Sequence, residues 1–154
     1  MGLSSGPDAL APVRGYLAQK EHLIVGLMTG TSVDAVDAVL VRFSGLGLEA
    51  RHEMLAYRET PLEPALRREV LEVAAAVELA PERLMRLDAA LGECFAAAVL
   101  ELLAGASVDR GRVDAVGSHG QTVRHIPRHR SDGQALTLQL GSAALLAERT
   151  GLTV

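Results

Sequence analysis

Gly26-Leu-Met-Thr-Gly-Thr-Ser-Val-Asp-Ala-Val-Asp-Ala-Val-Leu40 is the stretch on which the fold of this 154-residue chain turns. A hydrophobic run, Leu23 to Met28, stops at Thr29-Gly30-Thr31-Ser32, and a second apolar run, Val36 to Val41, follows two acids, Asp34 and Asp37. Strand, tight polar turn, strand is a hairpin, and such a turn can set backbone N–H groups and hydroxyls around an anion. An Asp beside it can orient a magnesium-bound water or a substrate hydroxyl. Gly, Thr, Ser and Asp are equally the ordinary formers of a turn that binds nothing. Composition alone leaves both readings open.

Working outward, Val36, Ala38 and Leu40 alternate with Asp37, Val39 and Val41, so only the start of this strand is clearly two-faced. Ser44-Gly45-Leu46-Gly47 turns the chain into a third strand from about Leu48 to Arg58, a meander of three antiparallel strands. Pro61 and Pro64 end that strand and open a helix. There Leu62, Leu66, Val70, Val73 and Val77 share a face, with Arg67, Arg68, Glu69 and Glu72 in solvent. Pro81 starts a second helix, lined by Leu84, Leu87, Leu91, Phe95, Ala98, Val99 and Leu102 and stopped at Gly105. Val113 to Gly117 reads as a short buried strand that delivers His119-Gly120-Gln121 at its carboxyl end, where open α/β sheets bind ligands. Residues 127–135 read as a polar loop or hairpin tip, Leu136 to Leu140 as a strand, and Ser142 to Thr150 as a helix. Leu152-Thr-Val154 reads as the opening of another strand, so the sequence is expected to be a truncated piece.

At 154 residues and 49% hydrophobic the chain suits one domain, burying ~70% of its unfolded surface. A net charge of −4 gives no electrostatic case for nucleic acid, and no apolar run approaches a membrane span. Cys94 is the only cysteine; among Leu91, Phe95 and Val99 it reads as a buried, inert thiol, and no intramolecular disulfide is possible. Residues 1–21, without a secretory hydrophobic region, read as a flexible extension ahead of a lobe spanning 22–154. The expectation is a soluble cytoplasmic protein.

Gly26 to Asp37 resembles the N-terminal motif of the anhydro-N-acetylmuramic acid kinases, members of the actin-like sugar kinase superfold. Val116-Gly-Ser-His-Gly-Gln-Thr-Val-Arg-His125 is similar to a second block of that family. Leu138-Gln-Leu-Gly141, running into Ala147-Glu-Arg-Thr-Gly-Leu-Thr-Val154, is similar to a third. The resemblance implies an α/β, ribonuclease H-like lobe with a mixed sheet: three antiparallel strands, then alternating helices and strands. It implies ATP and magnesium as cofactors and an amino sugar as substrate. The reaction is hydrolytic opening of 1,6-anhydro-N-acetylmuramic acid with phosphorylation of O6 to N-acetylmuramic acid 6-phosphate, in peptidoglycan recycling.

Carried over by resemblance, Gly30, Thr31, Ser32, Val33, Asp34, Ala35, Val36 and Asp37 form the ATP-phosphate turn, with Asp34 also the metal contact. His119, Gln121 and Arg124 face the sugar; Arg124 suits a lactyl carboxylate, although an exposed arginine of no consequence fits as well. His22, His52, His125 and His129 have no evident partners and read as surface residues. The family's general-base Asp is expected beyond Val154, as is the second lobe, so the 154 residues are expected to be inactive alone. The full-length form is expected to be a homodimer. Three positions depart from the family pattern. Ala35 stands for Gly, so the turn must avoid positive φ there or accept strain. Thr29 stands for Ser, and Ser142-Ala143 stands for Asp-Pro, with Ser142 still suited to cap a helix. Two alternatives stay open: another actin-like sugar kinase, or a non-catalytic remnant or interaction module of the same fold.

Overall fold

β1 (Glu21–Thr29) and β2 (Ala35–Ser44) pair antiparallel in continuous register from Glu21↔Ser44 to Thr29↔Val36, so the 30–34 segment is a hairpin turn. The alternation read in β2 is real: Val36, Ala38 and Leu40 are buried, facing the same way as Val25 and Leu27 of β1. β3 (Arg51–Pro61) adds antiparallel to β2, with a register shift at Leu40/Val41. The computed structural model describes residues 10–45, 47–130 and 132–154. Leu46 of the expected turn, Ser131 of the expected hairpin tip and residues 1–9 of the expected extension lie outside the described residues.

The sheet has a fourth strand, which corrects the expectation of three antiparallel strands. β4 (Ala115–Ser118) docks parallel to β1, in the order β3-β2-β1-β4. A parallel neighbour requires a long crossover, here supplied by α2 (Pro64–Ala75) and α3 (Pro81–Gly105). Neighbour order is a non-local property, which is why the sequence showed the strand but not its place. β5 (Gln121–Ile126), not foreseen as a strand, pairs with β6 (Leu136–Leu140) in a separate antiparallel ribbon. The ribbon leads into α4 (Ala143–Thr150). The Thr153 carbonyl accepts a bond from Val116 N–H (2.8 Å), laying the last residues along the open edge of β4.

The core lies between the sheet and α3. Leu87, Leu91, Phe95, Ala98, Val99 and Leu102 are all buried, as the periodicity predicted. Phe95 is 1% exposed, so Phe95→Ala would cost about 3–5 kcal/mol. α2 starts as read: Pro64 opens it, and the Glu63 carboxylate caps it by accepting from Ala65 N–H (2.9 Å) and Leu66 N–H (3.1 Å). α3 ends differently. Gly105 is its last residue, and the left-handed position falls on Ser107 (φ 53°). α1 (Ala11–Ala18) lies within the segment read as an extension, and Tyr16 stacks on His22 with ring centroids 4.0 Å apart. Burial raises the thiol pKa of Cys94, in keeping with an inert role. No described helix is long and apolar enough to cross a membrane.

Candidate functional site

The hairpin turn is built by its own residues. Gly30 C=O accepts from Val33 N–H (3.2 Å), closing a four-residue turn. Val33 then takes φ 53°, a region β-branched residues rarely occupy and that costs about 1–3 kcal/mol. Its side chain is 4% exposed, and core burial offsets the backbone cost. Left-handed geometry therefore falls on Val33, not on position 35. Ala35 is already the first residue of β2, where a Cβ meets no conformational penalty. The Val33 N–H is taken by Gly30 C=O, and the Asp34 and Ala35 N–H groups face the Asp34 carboxylate.

Asp34 is exposed and its carboxyl is held below the ordinary value. The main cause is the Ser32 hydroxyl, which donates to Oδ1 at 2.6 Å; its own and Ala35's backbone N–H groups and the Arg67 charge add to it. Asp34 is thus an ionised carboxylate facing solvent at the edge of the turn. No group of three or more His, Cys, Asp or Glu suited to a metal exists among the described residues. A single exposed carboxylate fits magnesium, which is commonly held by one or two carboxylates together with water and phosphate oxygens. Two residues that sequence reading passed over bear on this turn. Leu62 N–H donates to Asp34 C=O (2.8 Å), and Arg67 Nη2 donates to Ser32 C=O (3.2 Å). Tyr57, on β3, donates its hydroxyl to the Asp37 carboxylate, which pushes the phenol pKa up to about 12.

The second motif comes to the same end of the sheet. His119 N–H donates to Leu27 C=O (3.1 Å), and the buried Thr29 Oγ1 donates to Gly120 C=O (3.2 Å). These bonds tie together motifs 91 residues apart in sequence. The Thr29 hydroxyl is what makes the second tie. Beside them an open hollow of ≈ 350 Å³ is lined by Ser118, His119, Gly120, Gln139, Gly141 and Ala143. Ser142 caps the adjoining helix through Leu145 N–H (3.4 Å).

The three residues read as sugar contacts do not converge. His119 is exposed on the hollow, its Nδ1 3.0 Å from Gly120 O. Gln121 is 1% exposed; Nε2 donates to Thr122 C=O (3.1 Å), and Oε1 has no partner among the described residues. Arg124 is turned to the end of α2, donating to the carbonyls of Ala74 (3.5 Å) and Ala76. Terminal helix carbonyls attract a guanidinium.

The sequence model of the family "Anhydro-N-acetylmuramic acid kinase" matches residues 22–154. Proteins of that name from Xanthomonas campestris pv. campestris and Salinibacter ruber are 44% identical to the chain over 132 and 140 residues, covering 85% and 88% of it. One from Caldanaerobacter subterraneus subsp. tengcongensis is 39% identical over 137 residues, covering 87%. The matched regions are 34–35% of those relatives, so the chain spans about a third of the length of the curated proteins it matches. A family match over this span, with both motifs meeting at one end of the sheet, establishes that the chain belongs to the anhydro-N-acetylmuramic acid kinase family.

Proposed function

We propose that this chain is one lobe, of actin-like fold, of an ATP-dependent kinase acting on 1,6-anhydro-N-acetylmuramic acid. The observation that carries the reading is the Thr29–Gly120 tie, which seats the phosphate-type turn and the His119 hollow side by side. In the proposed reaction a water oxygen bonds to C1 as the C1–O6 bond breaks. O6 takes the γ-phosphoryl group of ATP, ADP departs, and the water proton passes to a general base. That base is expected in the part of the relatives that this chain does not span.

The turn from Gly30 to Asp37 supplies fixed dipoles and hydroxyls to the phosphates, stabilisation that needs no rearrangement during transfer. Magnesium, when bound, neutralises phosphate charge, and Asp34 is the residue suited to hold it, directly or through water. His119 presents an imidazole to the sugar. Gln121 and Arg124 support the segment from behind, and Arg124 would have to leave α2 to meet a substrate carboxylate. A cytoplasmic, homodimeric full-length enzyme is part of the proposal.

The test is product analysis with the polypeptide that carries this chain together with the region its relatives have beyond it. Given ATP and the anhydro sugar in ¹⁸O-water, the account expects the label at C1 and phosphate on O6. Phosphorylation of sugars lacking the anhydro bridge at equal rates would favour another sugar kinase. Absence of transfer to any sugar would favour a binding module.

A further inference from the structure

The proposed phosphate turn is held from outside by the corner where β3 passes into α2. Leu62, 5% exposed, anchors that corner in the core, and its N–H fixes Asp34 C=O at 2.8 Å. One helical turn later Arg67, on the solvent side of α2, extends to Ser32 C=O at 3.2 Å. The α2 N-terminus itself is closed to an incoming anion, because the Glu63 carboxylate already accepts from Ala65 and Leu66 N–H. The positive charge at this corner therefore comes from Arg67 rather than from the helix end.

With its carbonyl bonded to Arg67, the Ser32 peptide is held in one orientation. A guanidinium has five N–H donors, so the bond to Ser32 leaves others for charge-assisted contacts.

Resting on the phosphate reading, we infer that Arg67 is a positioning residue of the nucleotide turn: it clamps Ser32 and adds positive charge beside the phosphates. No sequence motif announces it, because it is 35 residues from Ser32 and sits on a helix face that otherwise reads as solvated.

The test is calorimetric titration of MgATP into the polypeptide that carries this chain together with the region its relatives have beyond it, and into its Arg67→Met, Arg67→Gln and Arg67→Lys variants, at several salt concentrations, with a melting curve for each. Arg67→Met is expected to weaken MgATP binding roughly five- to tenfold and to flatten its salt dependence. Its melting temperature should stay within about 2 °C, since an exposed bond contributes little to folding. Arg67→Gln keeps a donor without charge and should recover part of the affinity but not the salt dependence. Arg67→Lys should recover both. Affinity of Arg67→Met within about twofold of the parent (roughly 0.4 kcal/mol or less), or a loss matched by a fall in melting temperature, would overturn the inference and leave the phosphate reading standing. If MgATP does not bind the parent, or a Thr31→Ala/Ser32→Ala double variant binds it unchanged, the phosphate reading fails and the inference falls with it.

Discussion

The two motifs meet at one end of the sheet yet are made in opposite ways. The Gly30–Asp37 turn closes locally: its closing bond, its left-handed residue and the Ser32–Asp34 pair all lie within a few residues, and Leu62 and Arg67 brace it from outside. The Ser118–Arg124 segment is held by distant partners, Leu27 and Thr29 of β1 and the end of α2. The exposed residues of such a turn can vary without harming the fold. A segment wedged between β1, β6 and α2 cannot.

The sharpest contrast is between two glycines. Gly120 has φ 72°, and a Cβ there would lie 2.9 Å from Leu140 C=O. Gly120→Ala should cost about 2–4 kcal/mol in urea unfolding. Gly30 has no positive φ, and its nearest neighbour to an added Cβ is Ser32 Oγ at 3.5 Å. Gly30→Ala should leave stability within about 0.5 kcal/mol while weakening MgATP binding. Equal costs for the two would break the comparison.

Arg124→Met removes the guanidinium from the α2 carbonyls and should lower stability by about 0.3–1 kcal/mol, with MgATP affinity unchanged. Unaltered stability together with weaker binding of the anhydro sugar would instead make Arg124 a substrate contact.

Two titrations address the turn directly. Tyr57 should ionise near pH 12 by ultraviolet absorbance, because its hydroxyl donates to Asp37. What that bond contributes to stability is present below the ordinary value of 10.0 and lost as pH rises through about 12. Asp37→Ala should bring the phenol back toward 10.0. The smallest effect concerns Asp34, whose folded pKa lies below its ordinary 3.8. Its stabilising contribution is present above 3.8 and lost as pH falls through the lower folded value. Ser32→Ala removes the main cause and should move the Asp34 carboxyl upward in a carbon-detected titration; no movement would mean that the hydroxyl does not hold the acid.

The same division explains what the sequence disclosed. Hairpin, meander, α2, α3 and the Ser142 cap follow from periodicity and turn chemistry within short windows; their bounds shift, with β3 running from Arg51 to Pro61 and Val77, read on the α2 face, lying exposed beyond the helix. The parallel docking of β4, the β5–β6 ribbon and the turning of Arg124 to α2 depend on which distant surface each segment meets. Ala35 illustrates the point at a single residue. A missing glycine suggested strain there, but the turn closes one step earlier, and the left-handed position falls on Val33, where core burial compensates. Tyr57 and Arg67 were invisible as site residues because an exposed strand tyrosine and an exposed helix arginine carry no local mark.

The central claim is that the Gly30–Asp37 turn receives nucleotide phosphates. Amide NMR of the polypeptide that carries this chain and the region its relatives have beyond it, titrated with MgATP and then with adenosine, tests it most directly. The account predicts that MgATP shifts the amides of Gly30 to Asp37, with smaller changes at His119 and Gly120, and that adenosine leaves the turn unmoved. Shifts centred elsewhere, or the same response to both ligands, would contradict it.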